Sequence, residues 1–178
     1  LVPKACPVEL AISAWEWAAY LGENAARGVK AFIVPWRRVH HTQFNMSAKL
    51  GGVYVQSTIC GLEAREEGFD EAIFLNMEGR VAEGPGQNIF IVKDGTLVTN
   101  GRSESALEGI TRTSLLELGG DLGYKTAVGP ITKADLFGAD EAFYCGTAVE
   151  VIPIVEVTDG SDPAGPRTKH VIGTGKPG

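Results

Sequence analysis

Short blocks of apolar residues, separated by turn-forming residues, run along most of the chain and predict strands. The Asp94-Gly95 dipeptide lies between two such blocks and strongly favours a tight antiparallel hairpin. Glu78-Gly79 marks a second turn of this kind. The predicted strands cover residues 29–36, 71–76, 88–93, 96–99, 141–145 and 151–157, with residues 125–130 extended. Consecutive strands joined by short turns indicate a sheet that is largely antiparallel.

Apolar residues at helical spacing predict three longer helices and one short one. The predicted helices cover residues 9–27, 53–67, 110–122 and 133–137. Gly68 and Gly123 end the second and the third of these, and Thr132 is a typical N-cap for the last. Because strands and helices do not alternate regularly, we expect a mixed α/β (α+β) fold rather than a doubly wound parallel sheet.

The overall composition is that of a globular domain, with 44% hydrophobic and 21% charged residues. A length of 178 residues is enough for one substantial domain. The net charge of -6 argues against nucleic acid as a partner, since phosphates need a basic surface. No apolar run approaches the roughly 20 residues that span a bilayer, so we expect no membrane partner.

The cysteines and histidines give no sign of a metal site. Cys6, Cys60 and Cys145 are widely separated and odd in number, which fits reduced thiols in a cytoplasm better than a disulfide framework. His40 and His41 are adjacent, and neighbouring residues on a strand face opposite ways, so the pair would chelate a metal poorly. We therefore expect a cytoplasmic protein without a bound metal.

The main candidates for chemistry are Lys49 and Tyr54, in the segment SAKLGGVY at 47–54, and Glu83, in the segment EGPGQN at 83–88. A lysine amine can form a Schiff base with pyridoxal phosphate, and a tyrosine hydroxyl can donate a hydrogen bond to the phenolate oxygen of that cofactor. A glutamate facing the ring nitrogen would keep it protonated and make the ring a better electron sink. Taken singly, each residue is better explained as an ordinary surface or core side chain; their combination with other motifs favours the cofactor site.

Two further motifs are suited to binding an anion. The segment LEGITR at 107–112 places Gly109 before a predicted helix, whose first N–H groups are unpaired and favour an anion, and Thr111 adds a hydroxyl. The segment CGTAVE at 145–150 ends a strand in small residues whose N–H groups could bind a phosphate or carboxylate. Each motif alone is also explained by an ordinary cap or turn. Arg112 is more typical of a solvated charge than of a phosphate ligand, and Cys145 of a packed thiol.

Taken together, these motifs resemble the fold-type IV family of pyridoxal phosphate enzymes, and most closely its branched-chain amino acid aminotransferases. The similarity covers about residues 10–159, and five motifs occur in compatible order, at 47–54, 83–90, 92–95, 109–112 and 146–150. The resemblance implies that residues 29–178 form the large domain of that family, a mixed and largely antiparallel sheet or barrel with flanking helices. Residues 1–28 would be the end of the small N-terminal domain and the connection between the domains.

The resemblance also implies a role for each cofactor-binding motif. Lys49 matches the lysine that forms the Schiff base and moves the α-proton of the substrate. Tyr54 matches the donor to the ring oxygen, and Glu83 the partner of the pyridinium nitrogen. The matched phosphate ligands are Ile110, Thr111 and Thr147.

Three residues are implied as substrate contacts. Thr147 and Ala148 would present donors to the substrate carboxylate, and Trp17 matches a tryptophan that lines the pocket for an aliphatic side chain. The implied reaction is the reversible transfer of the amino group of L-leucine, L-isoleucine or L-valine to 2-oxoglutarate, with pyridoxal 5'-phosphate as cofactor. The family also implies a homodimer or a higher homo-oligomer.

The sequence departs from the family pattern at several points. Gln87 stands where many branched-chain enzymes have glutamate, and Pro85 replaces a small residue. No residue matches the arginine that the small domain supplies for the phosphate. The chain begins without methionine, residues 167–178 are predicted to form a loop, and the final helix of the family is not evident. We therefore expect the chain to be a fragment of a longer protein.

Three other functions fit the same motifs. A D-amino acid aminotransferase uses the same frame with the substrate inverted, and an aminodeoxychorismate lyase of this fold would release pyruvate without an amino acceptor. An inactive cofactor-binding or dimerisation fragment is the third. The motif at 146–150 and Trp17 favour the branched-chain enzyme.

Overall fold

Eight strands and three helices are defined in the computed structural model, which describes residues 3–16 and 27–177. The strands are β1 (Val29–Arg37), β2 (Glu71–Leu75), β3 (Asn88–Lys93), β4 (Thr96–Thr99), β5 (Lys125–Val128), β6 (Glu141–Gly146), β7 (Glu150–Asp159) and β8 (Thr168–Val171). The helices are α1 (Tyr54–Glu66), α2 (Ile110–Asp121) and α3 (Lys133–Phe137). Within the described residues no helix has the length and apolar character that crossing a membrane requires.

The strands form one mixed sheet in the order β2-β1-β7-β6-β3-β4-β5, with β8 beside β7. Strand β1 is parallel to both β2 and β7, and β4 is parallel to β5. The other pairs, β3 with β4 and β6, and β7 with β6 and β8, are antiparallel. This confirms the predicted mixed fold with flanking helices. Of the two predicted forms, an open sheet or a closed barrel, the observed strand order is that of an open sheet.

Strand β1 is covered on both faces, which explains its unbroken apolar sequence. Ala31 and Ile33 belong to the larger core cluster, together with residues of β3, β6, β7 and α3. Phe32 and Val34 face the other way, into a smaller cluster closed by Cys60 and Ala64 of α1. Helix α1 therefore packs over the β1–β2 end of the sheet and fixes the position of its own first residue, Tyr54.

Two predictions about the ends of the chain are wrong where the structure describes them. Residues 9–16 have no regular secondary structure and are exposed, although a helix was expected from residue 9; residues 17–26 lie outside the described part. Residues 168–171 form strand β8 rather than a loop, because they find a free edge on β7 from Glu156 to Asp159. Sheet edges offer unpaired N–H and C=O groups that local sequence does not reveal.

Candidate active site

A cavity of about 610 Å³ opens where loops from four parts of the chain meet, and its size is in the range of small-molecule sites. The loops precede α1, follow β2, precede α2 and join β6 to β7. The cavity is lined by every predicted site residue in the described part of the chain: Lys49, Tyr54, Glu83, Ile110, Thr111, Thr147 and Ala148. Trp17, the remaining predicted residue, lies outside the described residues.

Lys49 lies in an irregular loop that ends in a single 3-10 turn, Gly51–Val53, immediately before α1. The buried Val53 anchors this turn, and the side-chain-free Gly51 and Gly52 leave open space around it. Tyr54 is the first residue of α1. The turn brings the Lys49 amine over the tyrosine, and Nζ donates a hydrogen bond to Oη at 2.7 Å. The amine is exposed to the cavity, where a bound molecule can reach it.

Glu83 is almost completely buried, at 4% exposure, and both of its carboxylate oxygens accept hydrogen bonds. Oε1 accepts one from Nε of the Arg38 guanidinium at 2.8 Å, and Nη2 of the same guanidinium forms an ion pair with this oxygen at 2.7 Å. Oε2 accepts one from the backbone N–H of Leu107 at 2.9 Å. An ionised carboxylate has about four acceptor positions, two on each oxygen, so Oε2 retains one for a ligand in the cavity.

The charge of Glu83 is set by opposing effects. Burial, the largest, raises the pKa of its carboxyl group because desolvation disfavours the charged form. The Arg38 guanidinium, the Leu107 N–H and the charge of Lys49 oppose that rise in pKa. A buried carboxylate held by an arginine in this way can act as a fixed negative group facing the cavity.

The N-terminus of α2 faces the same cavity, and no side chain in the described part of the protein caps it. Gly109 is the N-cap residue, and Ile110 begins the helix with its side chain 83% exposed. The first N–H groups of a helix are unpaired, so they can bind an anion such as a phosphate. The approach to the helix is fixed by Asn88, whose Nδ2 donates to the carbonyl oxygen of Leu107 at 2.6 Å.

Thr147 and Ala148 lie at the tip of the hairpin that joins β6 to β7. Gly146 and Glu150 are the last paired residues of that hairpin, and Glu150 has φ 58. The tip is consequently only three residues long, and its small side chains leave it open to the cavity. The backbone N–H groups of such a tip are available to phosphate or carboxylate oxygens.

A second buried carboxylate, that of Glu71 in β2, lies beside the 83–88 loop. Glu71 is completely buried and accepts a hydrogen bond from Nε2 of Gln87 at 2.9 Å. Oε1 of the same amide accepts from the N–H of Gly86 at 2.9 Å. Burial raises the pKa of the Glu71 carboxyl group, and its bonds to Ala72 N–H and Gln87 oppose the rise. Gln87, a departure from the family pattern, therefore ties the 83–88 loop to β2.

Sequence reasoning missed two residues of this site and misjudged one. Arg38 and Asn88 had no assigned role, although an arginine directly after a buried strand and an asparagine at the first position of one were available signals. Arg112 was expected to be a solvated charge, but it is 4% exposed and its Nε donates to the carbonyl of Asn100 at 2.7 Å. Cys145 was predicted to be a packed thiol, and this is confirmed: it is buried, and burial raises its pKa to about 12.

Comparison with known proteins gives one family match that covers most of the chain. Residues 4–157 match the family described as Amino-transferase class IV. The branched-chain-amino-acid aminotransferase of Pseudomonas aeruginosa is 44% identical over 162 residues, which are 90% of this chain and 52% of that protein.

Solved structures agree with the sequence match. The crystal structure of the Escherichia coli branched-chain amino acid aminotransferase is similar with a TM-score of 0.83 at 36% identity, over 92% of this chain and 51% of that one. The branched-chain amino acid aminotransferase from Thermobaculum terrenum in its PLP-form has a TM-score of 0.72 at 33% identity, over 79% of this chain and 45% of that one. The chain thus spans about half the length of the proteins that it matches.

Proposed function

The chain belongs to the class IV aminotransferase family, and on that premise we propose that the whole protein is a pyridoxal-phosphate-dependent branched-chain amino acid aminotransferase. The observation that carries the proposal is the convergence of three different groups on one cavity: the Lys49 amine, the buried Glu83 carboxylate and the uncapped N-terminus of α2. Named relatives at 33–44% identity support the same activity.

The donor set of the cavity fits pyridoxal phosphate. A primary amine is available for its aldehyde, a tyrosine hydroxyl for its ring oxygen, and one acceptor position on Glu83 Oε2 for its ring N–H. The N–H groups of Ile110 and Thr111 and the hairpin tip at Thr147 suit its phosphate. When bound, the cofactor supplies an aldehyde that takes up the amino group and a ring that delocalises electrons from the α-carbon of the substrate.

Lys49 is the proton carrier of the proposed reaction. Its Nζ removes the α-proton of the amino acid and returns a proton during transfer of the amino group, which is general acid–base catalysis by one positioned amine. Tyr54 Oη holds that amine by the 2.7 Å hydrogen bond and limits the directions in which it can move. Glu83 holds a proton at the ring nitrogen, because a buried anion stabilises a neighbouring positive charge.

The proposed substrates are L-leucine, L-isoleucine and L-valine, with 2-oxoglutarate as amino acceptor. Thr147 and Ala148 provide N–H groups for the substrate carboxylate. Met46, Leu50 and Val53 make part of the cavity lining apolar, which suits an aliphatic side chain. Burial of each methylene group contributes about 0.8 kcal/mol, so such a lining favours branched aliphatic chains over shorter ones.

A cytoplasmic homodimer completes the proposal. The three cysteines are free, and Cys60 and Cys145 are buried, which suits a reducing compartment. Helix α1 exposes an apolar stripe of Val55, Ile59 and Leu62, and a second copy of the chain could cover it. Sedimentation velocity of the full-length protein tests this part: a single species of twice the chain mass is expected, and a monomer across the micromolar range contradicts it.

The function is tested by the visible absorbance spectrum of the full-length protein with pyridoxal phosphate, recorded before and after addition of L-leucine. A visible band that is lost on addition of leucine and restored by 2-oxoglutarate is expected. Lys49→Ala should show neither the band nor turnover, and Lys49→Arg, which keeps the positive charge but not the reactive amine, should behave like Lys49→Ala.

Other outcomes identify the alternatives. A band that ignores L-leucine and responds to D-alanine indicates a D-amino acid aminotransferase. Release of pyruvate from aminodeoxychorismate without an amino acceptor indicates the lyase. Full turnover in Lys49→Ala would overturn the assignment of the lysine.

A further inference from the structure

The side chain of Arg38 lies directly behind Glu83 and is as deeply buried, at 4% exposure. Arg38 follows the last residue of β1, and its backbone N–H donates to the Leu75 carbonyl of β2 at 2.8 Å. Its Nε and Nη2 both reach Oε1 of Glu83, at 2.8 Å and 2.7 Å. The guanidinium thus engages a single oxygen of Glu83, which leaves Oε2 to the Leu107 N–H and the cavity.

The guanidinium is itself held from two other elements. Its Nη1 donates to Oγ of Ser57 in α1 at 3.0 Å, and its Cζ lies 5.0 Å from the centroid of the Phe74 ring of β2. All of these contacts are buried, so the guanidinium has one orientation before any ligand enters. The orientation of Glu83 is fixed in turn, between Arg38 on one oxygen and Leu107 on the other.

A carboxylate at this depth needs such a partner. Removing a charge from water is costly unless a hydrogen-bonded opposite charge compensates, and an uncompensated carboxyl group takes up a proton instead. The titratable groups that face the pair are Lys49 from the loop before α1 and Cys60 from α1. Lys49 is exposed and is occupied by its own chemistry in the proposed reaction, which makes Arg38 the permanent counter-charge.

We propose that Arg38 is a positioning residue for the reaction: it keeps Glu83 ionised and oriented so that Oε2 is free to accept a hydrogen bond from the protonated ring nitrogen of the cofactor. The inference rests on the proposed function. It adds a residue that acts through Glu83 and not directly on the reacting atoms. An arginine is suited to this role because its guanidinium stays charged and its planar fork lets separate N–H groups meet Glu83 and Ser57 at once.

A double-mutant cycle between Arg38→Met and Glu83→Gln tests the proposal. Two quantities are measured for the wild type, the single variants and the double variant. The first is the rate at which L-leucine consumes the visible band of the cofactor-loaded full-length protein, from pH 6 to pH 9. The second is the urea midpoint of the cofactor-free protein over the same range, which does not depend on the activity.

The expected pH dependence has a definite sign. Without Arg38 the pKa of Glu83 rises further, so a larger share of Glu83 is protonated at low pH and cannot hold the ring proton. Arg38→Met should therefore slow the leucine reaction about tenfold or more at pH 6, with a smaller loss at pH 9. In the cofactor-free protein the order reverses: the loss in urea midpoint grows as pH rises, because the unpaired Glu83 must then be ionised while buried.

The outcome that supports the proposal is non-additivity. In the Glu83→Gln background, Arg38→Met should change the leucine rate less than about twofold and should lose its pH dependence in both measurements. If Arg38→Met lowered the leucine rate equally in the wild-type and Glu83→Gln backgrounds, the proposal would be overturned and Arg38 would be a packing residue. If Arg38→Met does not fold, Arg38→Lys replaces it, with an intermediate loss expected and an unchanged rate at pH 6 contradicting the proposal.

Arg37→Met is the matched control, since Arg37 is the adjacent arginine, half-buried at the end of β1, and does not line the cavity. It should leave the pH profile of the leucine reaction unchanged, and an Arg38-like profile in Arg37→Met would contradict the specific role. Failure of the proposed function is recognised separately: a wild-type protein without a visible band refutes the function, whereas the urea cycle still decides whether Arg38 controls the charge of Glu83.

Discussion

The Lys49 amine and the Tyr54 hydroxyl lie 2.7 Å apart, across the short turn that leads into helix α1. The two residues are thus held in fixed relation by the start of a helix rather than by distant parts of the fold. Their separation depends on Gly51 and Gly52, which close the turn, and on Val53, which buries it. A reactive amine on a loop gains in this way some of the rigidity of a helix terminus.

Replacing Tyr54 by phenylalanine removes only the hydroxyl, which accepts from Lys49 and which we propose also donates to the ring oxygen of the cofactor. A single hydrogen bond of this kind contributes about 1 kcal/mol, so the rate of the reaction with L-leucine should fall about fivefold to tenfold while the fold is unchanged. Stopped-flow absorbance of the cofactor-loaded protein measures the rate. Tyr124→Phe is the control, because that tyrosine is 64% exposed and does not line the cavity. Equal rates for wild type and Tyr54→Phe would refute a role for the hydroxyl.

Replacing Gln87 by glutamate restores the residue that many branched-chain enzymes carry but should destabilise this protein. The donor that faces the fully buried Glu71 at 2.9 Å would become a second carboxylate, and Arg65 Nη2, at 3.8 Å from Glu71, is too distant for a hydrogen bond. Two carboxyl groups so close push one pKa upward, and the folded state then binds a proton that the unfolded state has lost. Stability should therefore decrease as pH rises, by about 2–4 kcal/mol at pH 8 and by less at pH 5.

Urea unfolding at both pH values measures this effect, and the exchanged pair Glu71→Gln with Gln87→Glu is its control. The exchange keeps one amide and one carboxylate in contact, so it should recover most of the lost stability at pH 8. A Gln87→Glu variant as stable at pH 8 as at pH 5, relative to the wild type, would show that the two side chains do not interact as the structure places them.

Local sequence signals predicted most elements because turns and apolar periodicity are local properties. Asp94-Gly95 gave both strands of its hairpin with their observed bounds, and Thr132 gave the start of α3. Parallel pairing of β1 with β2 and β7 could not be seen in the same way, since it joins segments that are far apart in sequence and carries no turn signal. The β8 strand was missed for another reason: its four residues pair with an edge of β7, and local sequence does not reveal a free sheet edge.

The residues of the candidate site were also predicted where the signal is local and missed where it is not. Lys49, Tyr54 and Glu83 belong to compact motifs and converge on the cavity as expected. Arg38 and Arg112 were not recognised, because a buried arginine differs from a solvated one only in the tertiary groups that meet it: Glu83 for the first and the Asn100 carbonyl for the second. Charged residues are exposed in most proteins, so sequence alone favours the wrong assignment.

Gly109 should not tolerate a side chain, although its φ of -67 is open to any residue. A Cβ at this position would collide with Oδ1 of Asn88, whose amide nitrogen holds the Leu107 carbonyl. Gly109→Ala should displace Asn88 and cost about 1–2 kcal/mol of stability, with a several-fold weaker affinity for pyridoxal phosphate. Affinity is measured by titration of the visible absorbance, and stability by urea unfolding.

Gly120→Ala provides the comparison within the same helix. Among the described residues, no atom outside the helix's own backbone and the two neighbouring residues lies within 4 Å of a Cβ at Gly120. This change should therefore stabilise α2 by about 0.5–1 kcal/mol and leave cofactor affinity unchanged. In an Asn88→Ala background the collision is absent, and Gly109→Ala should then have no further cost. A persisting cost there would mean that Gly109 is required for a different reason.

Asp135 should contribute more to the free energy of unfolding at neutral pH than at acid pH. The substitution Asp135→Asn should remove this contribution. Hydrogen bonds from Thr132 and Lys93 lower its pKa to about 2, so the folded state keeps the carboxylate ionised below the pH at which the unfolded chain takes up a proton. A group with a depressed folded pKa contributes stability above its unfolded pKa and loses it as pH falls toward the folded value. The contribution should therefore be complete at pH 6 and largely lost between about pH 4 and pH 2.

Asp135→Asn should lower the free energy of unfolding by about 1 kcal/mol at pH 6, a figure that allows for the solvent exposure of the pair with Lys93, and by almost nothing at pH 2. Urea unfolding at the two pH values measures the difference. Asp121→Asn, at an exposed aspartate that ends α2, is the control and should lose little stability at pH 6. If Asp135→Asn were equally destabilising at both pH values, the cap of α3 would act through the geometry of its hydrogen bonds and not through the charge of the carboxylate.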